Sequence, residues 1–461
     1  MEKFKSPLFG LKKKVGYMTK KSILLSGFAL LGFVLRAQDT SFITATVKWD
    51  LAATLEYARQ NNIQVNIIRL DERLSEQDLL LARAAKYPNL SGTATQSFTH
   101  SGNTNPVVGG FQTQSNLAGN YSLNSSWTVY QGGYLNNDIK SKSLQAEAAN
   151  LNVAVTQNNI SLQITQAYLN ILLAKENITY SDELAKSSQA QYEQGRTRFD
   201  AGSIAKKDLL QLQAQMASDE YNLVAAQNQY RQNVLTLKQI LQLPVTTDFQ
   251  PVIPDTLIVQ EAIPSLLAAQ RTAIQNRPEI KYNELQIQVA DAELEKARAG
   301  YKPTVSVGGS VSTGYSDNQS TKYFNQIGDN LYQRLGATLA VPIFNNRVTK
   351  TNVERSKILI DQAKLTLEQA KTTLNQQLEQ AYISVLNAQS QYNSADTEFR
   401  ANRDAYNISL EQLRLGSITT VDLLVQRNLY VQALQNFIQA KYNAILNTKI
   451  YEFYIGQPIT L

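Results

Sequence analysis

The sequence predicts a mainly α-helical protein with a β-barrel part, in which one helix–β-hairpin–long helix–helix unit is used twice. Three observations carry this. A turn segment is written twice at constant spacing, long helical stretches bear a strict seven-residue apolar stripe, and four runs alternate with a period of two.

The turn segment Arg414-Leu415-Gly416-Ser417-Ile418-Thr419-Thr420-Val421-Asp422-Leu423-Leu424 lies between two helical patterns. One runs without proline from Val348 to Leu413, and the other reaches about Tyr454. Gly416 tolerates the left-handed conformation that ends helices. Ser417 or Thr419 suits the cap of the next helix, leaving Asp422 in its first turn, where the helix dipole favours a carboxylate. The same arrangement occurs earlier as Arg198-Phe199-Asp200-Ala201-Gly202-Ser203-Ile204-Ala205-Lys206-Lys207-Asp208-Leu209-Leu210. Gly202 to Gly416 and Asp208 to Asp422 are both offsets of 214, so an internal repeat sets the architecture.

From the N-terminus, Met18-Thr19-Lys20-Lys21, the apolar run Ile23 to Leu35 and Arg36-Ala37-Gln38 read as a secretory signal over residues 1–37, with Met18 a candidate true start. The apolar run is short for a membrane span. Residues 1–37 carry a net +7 of the chain's +6, which leaves −1 for the rest and removes the electrostatic motive for nucleic-acid binding. With no cysteine in the chain, disulfides, zinc–thiolate sites, thiol nucleophiles and a lipid anchor on the mature terminus are not expected. The single histidine, His100, lies in loop-like surroundings, and neither a nucleophile–base pair nor a phosphate loop is present. No enzymatic activity, cofactor or metal is expected.

The first repeat is expected over 38–243. Trp49 to Tyr87 reads as one helix that stops at Pro88. Leu90 to His100 and Leu117 to Tyr130 read as strands around a long polar hairpin loop, Ser101 to Asn116. In the second strand Leu117, Tyr121, Leu123, Trp127 and Val129 share one face, and Asn120, Ser122, Asn124, Ser126 and Thr128 the other. A helix of roughly 65 residues, about 97 Å at 1.5 Å per residue, then runs from Tyr134 to Arg198. Past the turn, another runs from Lys206 to Leu243.

A proline-rich connector at 244–264 precedes the second repeat, 265–461. Ala58, Gln60, Asn61 and Pro88 recur 215 positions later as Ala273, Gln275, Asn276 and Pro303, and strand runs Thr304 to Tyr315 and Leu331 to Val341 flank another polar loop. Beyond the hairpin the offset is 214, with Val129-Tyr130 matching Ile343-Phe344. The stripe of the second long helix is Val353, Ile360, Leu367, Leu374, Ala381, Ala388 and Ala395; that of the first is Ile139, Ala146, Val153, Ile160, Ala167, Ala174 and Ser181. Such a repeat argues for coiled-coil packing. The lengths suggest a long rod with two shorter helices stacked end to end beside it.

Four strands with one apolar face cannot close a barrel alone, and unpaired edges are not tolerated in lipid. The alternation is that of transmembrane barrels, with Trp127, Tyr121, Tyr130, Tyr315 and Tyr332 as candidate interfacial aromatics. A soluble β-sandwich with helical insertions is the competing fold.

The signal, the duplicated order and the two Gly-Ser-Ile…Asp-Leu-Leu turns resemble the TolC/OprM family of outer-membrane efflux proteins over about 40–461. The resemblance implies a homotrimer with a 12-stranded transmembrane barrel continuous with a periplasmic α-helical barrel. It also implies a passive exit duct for a tripartite pump or type I secretion system, completed by an inner-membrane transporter and a periplasmic adaptor (membrane fusion protein). The family's turns form the closed periplasmic entrance. Its acidic rings map to Asp208 and Asp422; the further acid of the second turn falls on Val425. Its gate-locking tyrosine and arginine fall on Leu413 and Ile418, so that lock is missing. Adaptor contacts map to Arg198, Gly202, Ser203, Arg414, Leu415, Gly416 and Ser417. For Asp208 and Asp422 the alternative is a first-turn carboxylate that stabilises a helix start, and for the two arginines a solvated helix end. The alternative function is a secreted coiled-coil scaffold or surface adhesin without a pore.

Overall fold

The computed structural model of the chain describes residues 49–104, 111–244, 246–254, 258–259 and 262–459. The expected signal at 1–37 lies outside them. Two repeats follow one another. The first comprises α1 (Leu51–Asn61), α2 (Ile63–Ala84), β1 (Asn89–Thr104), β2 (Phe111–Gln131), α3 (Tyr134–Asp200) and α4 (Lys206–Leu241). The second comprises α5 (Leu266–Asn276), α6 (Pro278–Arg298), β3 (Thr304–Ser316), α7 (Tyr323–Asp329), β4 (Tyr332–Ala340), α8 (Val348–Arg414) and α9 (Thr420–Ile455).

The single helix expected over Trp49–Tyr87 is two helices, because the chain breaks at Asn62. Its ψ of 127° is extended, and its side-chain oxygen accepts from the amides of Gln64 and Val65, capping α2. The amide of the same side chain donates to the carbonyl of Ile240 at the end of α4 (3.2 Å). Gln242, in the left-handed region at φ 57°, accepts from the Ile63 amide at 2.8 Å. Polar groups exposed at two helix ends are thus joined to one another. The second repeat makes the joint with a cation. Arg277, at the position of Asn62, donates to the carbonyl of Phe453 (3.0 Å), lies over its ring and pairs with Glu279. A guanidinium at a helix C-terminus satisfies both an orphan carbonyl and the dipole.

These joints produce the expected stacking. Toward the sheet α3 packs on α2, through Lys142–Asp78 (3.1 Å) and Asn150–Glu72 (2.7 Å). Farther along it packs on α4, where the Asn233 amide donates to the carbonyl of Asn170. All seven stripe residues of α8 are buried; in α3, Val153, Ala167 and Ala174 are buried and the other four half-buried. Two apolar clusters fill equivalent places. Ile164, Ala167 and Ile171 belong to one, and Leu378, Ala381 and Val385, 214 positions on, to the other. The Tyr168 hydroxyl reaches the carbonyls of Trp49 and Val252, tying the start of the first repeat to the connector.

The four strands form one antiparallel sheet in the order β1-β2-β3-β4. The loop expected at Ser101–Asn116 is largely strand, since the ladder continues to the pair Thr104↔Phe111; residues 105–110 lie outside the described set. Polar composition marked a loop there, but ladder hydrogen bonds make no demand on side-chain polarity, so polar runs are carried readily in paired strands. The second hairpin keeps the register of the first, as Asn89↔Ser126 becomes Thr304↔Ala340, but its loop holds the unforeseen α7. The buried Gln326 fastens α7 through both the amide and the carbonyl of Ser316.

Candidate functional site

Two places invite function: the pair of turns at the far ends of the long helices, and the sheet. In the turns, Gly202 (φ 74°) and Gly416 (φ 75°) occupy the left-handed region. Their amides donate to the carbonyls of Phe199 and Leu413, and the next amides, of Ser203 and Ser417, to those of Arg198 and Gln412. Both turns therefore end a helix with the same Schellman arrangement. The Ser417 hydroxyl adds a bond to the Gln412 carbonyl. Leu415 protrudes, 72% exposed, and Arg414 pairs with Glu411 at 2.7 Å, one turn back on its own helix. Arg198 is half-buried.

The helix starts differ. Thr419, not Ser417, caps α9, in a reciprocal box: the Asp422 amide donates to the Thr419 hydroxyl oxygen, and the Asp422 carboxylate accepts from the Thr419 amide and hydroxyl. The hydroxyl bond, then the amide bond, hold the exposed Asp422 carboxyl below its usual pKa. At α4 the cap position is Ala205, which offers no side-chain bond, and Asp208 is half-buried in the first turn. Among the described residues no hydrogen bond or ion pair joins Asp208 to Asp422. Val425 is exposed, and Leu413 and Ile418 are half-buried apolar residues.

Behind the turns lie groups that the sequence reading did not single out. Arg427, in the second turn of α9, and Asp219, on α4, form an ion pair with side chains 1% and 5% exposed. Asp219 also accepts from Gln215, whereas Nε of Arg427 has no hydrogen-bond partner. The pair links the return helices of the two hairpins and has no counterpart one repeat along, where Gln213 and Ala433 stand. A ladder of rings also joins α8 to α9: Tyr406 stacks on Tyr430 (5.2 Å, 9°), and Phe399 on Phe437 (5.0 Å, 12°), beside Tyr392. The spacings 392/399/406 and 430/437 are sevens, a signal present in the sequence. The first hairpin has Ile178, Ala185, Tyr192, Met216 and Leu223 at those places. There the helices come together instead at the buried Gly195, where a Cβ would stand 2.5 Å from Leu212 Cδ1. The Gln191 amide reaches across to the Tyr406 hydroxyl (3.1 Å).

The sheet has two unlike faces. Registers place Phe98, Leu117, Tyr121, Leu123, Trp127, Val307, Val311, Tyr315, Leu335 and Leu339 on one, and serines, threonines, asparagines and glycines on the other, with Arg334 among them. A bulge at Val129 turns Tyr130 opposite Val305, onto the apolar face. Tyr332 pairs with Ser312 and so sits on the polar face, not with the interfacial aromatics. Neither β1 nor β4 has a second partner strand among the described residues. No helix among those residues is long and apolar enough to cross a membrane, and none of their His, Asp and Glu side chains cluster as metal ligands.

The sequence family described as outer membrane efflux protein matches residues 54–242 and 270–448. The outer membrane efflux protein BepC of Brucella suis biovar 1 is 21% identical over 437 residues, covering 92% of this chain and 88% of that protein. The outer membrane protein TolC of Vibrio cholerae is 23% identical over 414 residues, covering 86% and 88%. Among solved structures, one of CusC, described as showing conformational changes that accompany folding and transmembrane channel formation, superposes with a TM-score of 0.75. It is 18% identical and covers 88% of this chain and 92% of that one.

Asp219→Ala leaves a buried guanidinium unpaired, and a loss of about 3–5 kcal/mol is expected. Loss of helical circular dichroism on heating measures it, and replacing both Asp219 and Arg427 by leucine recovers most of the deficit. Because the Asp422 pKa is lowered by its cap, the stabilisation is present above the usual carboxyl range and is lost as pH falls through the lowered value. Thr419→Ala moves that loss to higher pH, visible as earlier onset of amide exchange over residues 420–425 during acidification.

Proposed function

Because this chain belongs to the outer membrane efflux protein family, we propose that three copies form the passive exit duct of a tripartite efflux pump or type I secretion system. The protein resides in the outer membrane and extends long helices into the periplasm. The observation that carries the proposal is the four-stranded sheet, apolar on one face and open at both edges, continuous with two helices of 67 residues. In lipid its edge amides and carbonyls must be paired, and copies joined edge to edge do so. Three give twelve strands, apolar residues outward and a lumen of serine, threonine and asparagine. A periplasmic adaptor and an inner-membrane transporter complete the assembly.

The turns then form the periplasmic entrance. Asp422, exposed and repeated threefold, makes a ring of carboxylates that favours cations. Mutual repulsion raises their pKa values, and the Thr419 cap opposes that, keeping the ring charged. Asp208 belongs to the same entrance, and Val425 widens the apolar part of the constriction. The lock mapped to Leu413 and Ile418 is absent, and the Arg427–Asp219 pair supplies the polar tie between hairpins. The adaptor grips the turns at Gly202, Ser203, Gly416 and Ser417, with Leu415 as an apolar knob and Arg198 and Arg414 at the rim.

In planar bilayers the purified protein is expected to conduct weakly. Asp422→Asn should reduce cation selectivity or block by multivalent cations, and an unchanged channel would remove Asp422 from the entrance. Charge reversal at Arg414, or a bulky residue in place of Gly416, should lower drug resistance several-fold while the yield of assembled protein is unchanged. A parallel loss of assembly would make these residues structural.

A further inference from the structure

A passive duct has no need of α7, the short helix between β3 and β4. It stands where β4 stops. Pairing of β4 with β3 ends at Ser312↔Tyr332, while β3 runs on to Ser316. There side chains replace the ladder. Asn330, at the end of α7, donates to the Gly314 carbonyl (2.8 Å). Gln326 accepts from the Ser316 amide (2.8 Å) and donates to its carbonyl (3.0 Å). Strand-edge groups that lipid would leave unpaired are thus closed by side-chain amides, and the helix is pinned to the sheet.

Its contacts fix the side on which α7 lies. The Tyr323 ring meets Tyr315 edge-on (4.6 Å, 72°), its hydroxyl lies 3.3 Å from that of Tyr121, and Thr313 donates to the Ile327 carbonyl (2.6 Å). Tyr121, Thr313 and Tyr315 are on the apolar face by register. The helix therefore covers the outside of the sheet and is no lid over the polar face that lines the proposed lumen. Polar atoms on the apolar face at this level are bonded to one another, Gln96 with the Tyr315 hydroxyl among them, as suits a membrane boundary. Phe324 packs edge-on against Tyr323 and is otherwise 85% exposed. Toward the middle of the sheet from α7, a cavity of about 410 Å³ opens on the same face, bounded by Gly92, Ala94, Tyr121, Leu123, Val311 and Leu331. Gly92 keeps it open, since a Cβ there would stand 3.2 Å from Leu123 Cδ2.

We infer that this cavity holds an acyl chain of an outer-leaflet lipid, with α7 as its clamp at the boundary between acyl chains and headgroups. This rests on the reading that the apolar face meets lipid. The strands join the periplasmic helices at their other end, so α7 stands at the outer leaflet. None of the lining residues is charged, which calls for an apolar occupant, and the cavity opens on the face that the bilayer covers. Tyr323, bonded to the Tyr121 wall, and Phe324 beside it supply the hydroxyl and ring that anchor a short helix at an interface. Lys322, exposed just before them, offers a cation to a phosphorylated headgroup.

The chain has no cysteine, so single labels can be placed cleanly. Phe324→Cys, Leu335→Cys on the apolar face and Asn120→Cys on the polar face each receive a nitrobenzoxadiazole label and are reconstituted in phosphatidylcholine vesicles. Labels at the Phe324 and Leu335 sites are expected to be quenched by brominated acyl chains and shielded from iodide, and the label at the Asn120 site the reverse. If the Phe324 site answers only to iodide while the Leu335 site is quenched by lipid, α7 stands in water; the inference is overturned and the barrel stands. If the Leu335 site also answers only to iodide, the lipid-facing sheet falls with it. The cavity itself is tested by adding lipid A to delipidated, assembled protein and counting bound lipid by native mass spectrometry. Gly92→Leu, or Ala94→Leu where the first does not assemble, is expected to lower bound lipid several-fold. Unchanged binding in an assembled variant overturns the site.

Discussion

A β-strand exposes a row of amides and carbonyls along each edge, and in hydrocarbon no water satisfies them. Everything in this protein is arranged around that constraint. The sheet presents one apolar face, suited to lipid in the proposed duct, yet among the described residues β1 and β4 end it with open edges. A four-stranded sheet is too narrow to curl onto itself, and in the proposed duct its edges are met by further copies of the chain. The duplication makes this possible: the two hairpins share one register, so a sheet that continues past β4 can do so with the same geometry.

The helices answer a different problem, that of length. A rod of 67 residues, about 100 Å, has no globular core to lie on. Its burial comes from the seven-residue stripe and from pairs of shorter helices laid end to end beside it. Such a stack exposes two sets of orphan backbone groups at each joint. Asn62 with Gln242 in one repeat, and Arg277 in the other, satisfy them by unlike chemistry at one site. Conserving the joint while changing the residue is what a duplicated architecture allows, because the geometry is held by the surrounding helices.

Much of this was legible in the residues. The period-seven stripe of α8 is buried at every position read from it, since a periodic constraint is averaged over many turns. The glycine turns were legible because only glycine meets positive φ cheaply. The break at Asn62 was only faintly marked in its own repeat, because asparagine occurs inside helices as well as at caps. Pro278, one repeat along at the first position of α6, marks it more plainly, and the end of α4, far away in sequence, completes the joint. The extension of β1 and β2 was hidden by polar composition, and α7 by the glycine- and asparagine-rich stretch around it. At the candidate site the two aspartates and the turns were found by alignment of the repeats. The Arg427–Asp219 pair escaped because it breaks that alignment. The ring ladder of α8 and α9 was visible as a spacing but differs between the repeats, so a search for likeness passed over it.

The unequal helix starts at the two turns carry one more consequence. The start of α9 is latched by Thr419 and Asp422, and that of α4 has only Ala205, followed by the exposed Lys206 and Lys207. Helix ends without caps fray, and a frayed segment bearing two lysines is what a trypsin-like enzyme needs to enter its cleft. Of the two turns the first is therefore the more easily nicked, and a bound protein covering it would be felt as protection from cleavage there.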